Sequence, residues 1–192
     1  MKILAVQSRM GIGDTVIFLP FMKALFKKFN SPISILVKEN SKANQYLHQT
    51  KYIDKILTLE RDNKTNNRHG GFFGIFKLAN DLKKYKFDKI FIFNSSLRFN
   101  LVAKISGIPQ IYQYPLFAKN KQHIIEAPKK FLKENLNLDI NEDPEVQIDN
   151  DSISKAAQKF QIDKNTTNIL LGIGGSGPTK RIPAKTFLSV ID

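Results

Sequence analysis

Lys2-Ile3-Leu4-Ala5-Val6-Gln7-Ser8-Arg9-Met10-Gly11-Ile12-Gly13-Asp14-Thr15 is the stretch whose reading decides the fold. Residues 2–7 form a short apolar run with β-branched members, as in a strand of a parallel sheet covered on both faces. From Thr15 onward, Val16, Leu19, Met22, Leu25, Phe26 and Phe29 recur at helical spacing. Two glycines and an aspartate join the two, giving a strand, a turn and a helix whose N-terminus faces the mouth of the sheet. Unpaired N–H groups and the positive end of the helix dipole favour an anion or polar ligand there. The dinucleotide fingerprint is not met, because Val16 stands where the third glycine belongs.

Asp14 has two readings. As an N-cap it would accept hydrogen bonds from the first helical turn, worth about 1 kcal/mol. As a carboxylate at the sheet mouth it could act as general base on a substrate hydroxyl.

Further along, strands are expected at Pro32–Val37, Lys55–Leu59, Asp88–Phe93 and Ile111–Tyr114. Helices are expected at Ser41–His48, from Phe72 to Leu82, from Leu97 to Gly107 and near Gln122–Leu136. Alternating strands and helices predict an α/β, doubly wound parallel sheet with ligands at the carboxyl ends of its strands. That edge collects Asp14, Asn94, Ser95, Ser96 and Arg98. Glu60–Gly71 is polar, carries Arg61, Lys64, Arg68 and His69, and reads as a solvated loop or a mobile arm presenting positive charge. The apolar stripe Phe72, Phe73, Ile75, Phe76, Leu78, Ala79 and Leu82 is expected in the core.

Composition then shifts to Asn, Asp, Glu and Pro. The expected organisation is a domain over 1–136, a connection over 137–165 with a helix near Ser152–Phe160, and the beginning of a second, incomplete domain over 166–192. Asn168–Ile173 reads as a strand, Pro183 as the first residue of a helix, and Gly174-Gly175-Ser176-Gly177-Pro178-Thr179-Lys180-Arg181 between them as a phosphate-binding turn. The Walker order is absent.

The chain has 192 residues and a net charge of +13, from 25 Lys and 5 Arg against 17 acidic residues. The lysines are scattered, without a stripe of stacking aromatics, so nucleic acid is not an expected partner. An anionic membrane face or glycolipid fits the charge better. With no cysteine, and with His48, His69 and His123 far apart, neither disulfides nor a metal site are expected. No apolar run reaches the ~20 residues of a membrane span, and Met1-Lys2 leads into a strand and not a signal peptide, so a cytoplasmic location is expected.

Three segments together resemble the heptosyltransferases of glycosyltransferase family 9. These are Lys2-Ile3-Leu4 with Gly13-Asp14, Leu19-Pro20 and Ala24-Leu25; Phe87-Asp88 with Ser96-Leu97-Arg98; and Gly174 with Ser176, Pro178-Thr179-Lys180-Arg181 and Pro183. Three positions depart from the family's pattern: Ile92 replaces an aspartate, Gln113 a glycine and Ile182 an aromatic. The resemblance implies a GT-B enzyme, here a Rossmann-like N-terminal domain followed by the first βα unit of a truncated second one. It implies an inverting, metal-independent transferase, needing no cofactor, that moves a heptose-like sugar from a nucleotide-diphosphate donor, ADP-linked, to a lipopolysaccharide-core or other glycan. Asp14 would be the base, with Gly11, Gly13, Arg61, Arg68, Ser96 and Arg98 on the acceptor side. Gly174, Ser176, Thr179 and Lys180 would hold the donor phosphates. Peripheral contact with the inner membrane face and a separate C-terminal half are further expectations, the 192-residue chain being inactive alone. The alternative is a non-catalytic binding module for a nucleotide or anionic glycan.

Overall fold

The structure, a computed structural model, describes residues 1–9, 11–61, 67–116, 123–163, 165–172 and 182–191. Five strands, β1 (Ile3–Gln7), β2 (Ile33–Lys38), β3 (Ile53–Leu59), β4 (Lys89–Ile92) and β5 (Gln110–Gln113), form one sheet in the order β3-β2-β1-β4-β5. Every pairing is parallel, with Ile3 of β1 opposite both Ile33 and Lys89. Side-chain alternation along β1 divides its residues between two cores. Ile3 and Ala5 join Ile33, Ile35, Val37 and Phe91 on one face, while Leu4 and Val6 join Leu36, Ile90 and Ile92 on the other. The sheet is therefore doubly wound, as expected.

Helices α1 (Ile12–Ile17), α2 (Leu19–Phe29) and α5 (Glu126–Leu136) accompany the first core. Helices α3 (Phe73–Lys83) and α4 (Leu97–Ile105) cover the second. The single helix expected after Asp14 is two helices. Pro20 has no N–H to continue the ladder, and the Phe18 N–H bonds to Thr15 O at 3.1 Å instead. The helix expected at Ser41–His48 is likewise two 3₁₀ turns, Glu39–Ser41 and Ala43–Gln45, parted by Lys42 in the left-handed region at φ 48°.

The chain divides into two compact units, Met1–Ile148 and Asp149–Asp192. Residues 137–148, expected as part of a connection, thus pack on the first unit. Ile140 is buried there, Leu138 and Val146 rest against the first core, and Glu142 pairs with Lys23 at 3.0 Å and with Lys27. In the second unit α6 (Asn150–Lys159) is capped by Asp149, whose carboxylate accepts from Ser152 N at 2.7 Å. Helix α7 (Ala184–Ile191) follows Pro183. The strand expected at Asn168–Ile173 is not formed over 168–172. Ile169 and Leu170 are exposed, and no described residue of this unit belongs to a strand that could pair with them. Among the described residues no helix is long and apolar enough to cross a membrane.

Candidate active site at the carboxyl ends of β1 and β4

The strand order reverses between β1 and β4, so their connections leave in opposite directions and open a crevice above the sheet. Gly11 stands at the first crossover with φ 111°, a value glycine adopts without strain. It holds the cap position of α1, and Asp14 is the third residue inside that helix, which corrects the N-cap reading. The Asp14 carboxylate lies back over Gly11, with Oδ2 3.6 Å from where a Cβ on Gly11 would stand. Two buried side chains secure the turn from below. The Gln7 amide donates to Asp14 O at 3.3 Å, and the Thr15 hydroxyl donates to Gly11 O at 3.2 Å. The Asp14 side chain itself is half-buried and has no hydrogen-bond or ion-pair partner among the described residues.

The second crossover begins at Asn94, whose Nδ2 donates to Ser8 Oγ at 2.8 Å and so ties the loop after β4 to the loop after β1. Asn94 Oδ1 accepts from Ser96 N at 2.6 Å, and Ser96 Oγ caps α4 by accepting from Arg98 N at 3.3 Å. Gln113, at the end of β5, donates to Asn94 O and Ser96 O, both at 2.9 Å, and accepts from Asn100. A glycine there could make none of these bonds.

Arg98 reaches across to a neighbouring turn, donating to Gly71 O at 2.7 Å and to His69 O. That turn is pinned three ways. The His69 N–H donates to Glu60 O at 2.9 Å, and its ring Nδ1 accepts from Glu60 N at 3.1 Å. Nε2 therefore carries the ring proton and donates to Asp81 at 3.1 Å. Arg68 pairs with the same carboxylate at 2.5 and 2.9 Å, and Lys84 at 3.2 Å. Burial pushes the Asp81 carboxyl up, but bonds from Arg68, His69 and Lys84 outweigh it and hold the group at about 2. A cavity of about 270 Å³ lies beside this cluster.

The described end of the expected mobile arm is thus fixed in place: His69 is buried, and both Arg68 and Arg98 bind protein groups. Arg61 is half-buried, its N–H bonded to Leu59 O at 2.9 Å, while residues 62–66 lie outside the described residues. So do Gly174, Ser176, Thr179 and Lys180 of the expected phosphate turn. Among the described residues no three His, Asp or Glu side chains converge as a metal site.

Nothing in the residue pattern marks Tyr114. Its hydroxyl is buried without a partner among the described residues, and its ring packs edge-on against Phe93 and Phe131. Burial pushes the phenol well up, opposed by the nearby charge of Arg9. Asp81 is equally silent, since an acid among lysines on a helix looks solvated.

The sequence matches no protein-family model and no curated protein. The fold is nonetheless that of known glycosyl transferases. A glycosyl transferase family 9 structure from Veillonella parvula DSM 2008 superposes with a TM-score of 0.76 at 20% identity, covering 100% of this chain and 59% of that one. ADP-heptose lps heptosyltransferase II from E. coli superposes at 0.65 with 17% identity, covering 99% of this chain and 62% of that one. The chain therefore spans about three fifths of the length of the solved structures it matches. At these identities the likeness is one of fold.

Proposed function

We propose that this chain is the acceptor-side part of an inverting glycosyltransferase that moves a heptose-like sugar from an ADP-linked donor to an anionic lipopolysaccharide-core glycan. The single observation that carries the reading is the Asp14 carboxylate, half-exposed at the crossover of the central strand and without a described partner. It takes the proton of an acceptor hydroxyl as that oxygen attacks the anomeric carbon. The bond from that carbon to the donor phosphate breaks in line, and the nucleoside diphosphate leaves with the electron pair. Charge on the leaving group falls to Thr179 and Lys180, with Gly174 and Ser176 supplying backbone approach, so no metal is required. Gly11 and Gly13 leave room for the acceptor. Arg61, Arg68, Ser96 and Arg98 lie on its side, Arg68 and Arg98 acting by bracing the 69–71 turn. Catalysis is cytoplasmic, with peripheral contact to the membrane that carries the acceptor.

The test is sugar transfer from an ADP-linked donor to core-truncated lipopolysaccharide, by the chain supplied with a complete donor-side domain. Asp14→Asn should lower kcat by about 10²–10⁴-fold. Its stability should change by less than about 1 kcal/mol, because the residue sits inside the first turn and caps nothing. An Asn variant that turns over normally removes the base. Acceptor binding without any product favours the non-catalytic module.

A further inference from the structure

Helix α3 does not bury its apolar residues as the spacing predicts. Ile75, Leu78, Ala79 and Leu82 enter the second core, but Phe72, Phe73 and Phe76 stand 68%, 76% and 46% exposed. Their only described ring contacts are with one another, Phe72 meeting Phe73 at 6.0 Å and Phe76 at 5.7 Å between centroids. This is not a frayed end. The turn before them is held by Arg98, and Gly74 lies so close to His69 that a Cβ would meet the His69 carbonyl carbon at 2.3 Å. Helix α4, tied to the same turn through Arg98, adds Leu97, Leu101 and Ile105, each about two-fifths exposed at successive turns of one ridge. Isolated exposed apolar residues are ordinary, but a held aromatic triplet beside an apolar ridge marks a contact surface.

Charge selects the occupant. Lys77 and Lys83 on α3 and Lys104 on α4 are exposed, and the only acid on either helix is Asp81, already paired with Arg68 and Lys84. On α3 itself Lys77 and Lys83 share the exposed face with Phe73 and Phe76. Aromatic rings among lysines suit the interface of an anionic bilayer, where the rings enter the acyl boundary and the ammonium groups meet lipid phosphates.

We infer that Phe72, Phe73 and Phe76, flanked by these lysines, form a docking surface for an anionic membrane. The inference rests on the transferase reading for the reason a bilayer would be approached at all, since a lipid-borne acceptor lies there. The contact itself does not depend on that reading.

The 192-residue chain is mixed with vesicles of phosphatidylcholine containing a third phosphatidylglycerol, and with vesicles of phosphatidylcholine alone. Binding should favour the anionic vesicles and weaken with salt. The triple variant Phe72→Ser, Phe73→Ser, Phe76→Ser should lose about tenfold or more in partitioning. The chain contains no tryptophan, so Phe73→Trp reports insertion independently of the triple variant's folding. Its indole emission should shift to the blue and be quenched by brominated lipid. Unchanged binding by the triple variant, an indole emission indifferent to vesicles, or a dimer in solution that the triple variant abolishes would each overturn the surface. Asp14→Asn should bind vesicles as wild type does, so loss of transfer and loss of docking are read separately.

Discussion

Gly74→Ala is the substitution whose outcome the structure fixes most closely. Gly74 is the second residue of α3, and its N–H donates to Gly70 O at 3.1 Å. A methyl group there would lie 2.3 Å from the His69 carbonyl carbon, 2.4 Å from its oxygen and 2.9 Å from an Arg98 guanidinium nitrogen. The guanidinium can swing aside. The His69 backbone cannot follow it, because its N–H is bonded to Glu60 O and its ring is held between Glu60 N and Asp81, independently of Arg98. Alanine gains at most about 1 kcal/mol over glycine in mid-helix and less in a first turn. Overpacking a fixed site costs about 1–3 kcal/mol. The net is about 1–2 kcal/mol of destabilisation, or about 2–8 °C in melting temperature for a chain of this size. Gly13→Ala is the matched control, since Gly13 is also second in its helix and a Cβ there meets nothing within 4 Å. That variant should melt at or slightly above wild type. Thermal melts followed by circular dichroism decide the matter. A Gly74→Ala protein as stable as wild type, or a Gly13→Ala protein falling equally far, would refute the packing argument.

Asp81 gives the fold an acid-sensitive joint. Its carboxyl sits at about 2 against an ordinary 3.8, so its contribution is complete above about pH 4 and is lost as pH falls toward 2. The shift sets a ceiling of about 2.4 kcal/mol. Exposure of Arg68 and Lys84 reduces this to about 1 kcal/mol. Asp81→Asn should lose that increment at neutral pH and show a flatter acid limb in urea melts between pH 4 and 2. Tyr114→Phe removes a buried hydroxyl without a described partner and should raise stability by about 1 kcal/mol; a fall of that size would mean the hydroxyl is bonded in solution. Asp14→Asn, set out above, separates turnover from folding.

The sheet was legible because its strands are apolar on both faces, a pattern that needs no knowledge of neighbours. Residues 2–7 and 88–93 are the plainest cases. Local chemistry that overrides periodicity was harder to weigh. Pro20 splits one helical stripe into α1 and α2, and Lys42 turns an expected helix into two 3₁₀ turns. The aromatic stripe at 72–76 misled because periodicity names a face but not what covers it. Asp14 and Ser96 could be placed at the mouth of the sheet because the segments before them read as strands. The cluster of His69, Asp81 and Arg68 was invisible, since its members are up to thirteen residues apart and meet only once α3 folds back beside β3.

That cluster changes what the basic residues can do for a bound glycan. Arg98 commits separate guanidinium nitrogens to two backbone carbonyls, and Arg68 grips a carboxylate that remains ionised down to about pH 2. An incoming anion would have to displace these groups and leave carbonyls or an acid behind without donors. Under the proposed transferase reading, both arginines are therefore better placed to shape the acceptor's surroundings than to touch it. Arg98→Lys separates the alternatives, because lysine keeps the charge but offers one point donor where a fork now spans two acceptors. A positioning role predicts a loss of about 1.5–3 kcal/mol of stability from a broken charged hydrogen bond. Acceptor KM would rise as a consequence of the loosened turn, and Arg98→Ala would be no worse in KM than Arg98→Lys. A lysine variant that melts like wild type, while the alanine variant alone loses acceptor affinity, would show that the charge meets the glycan directly.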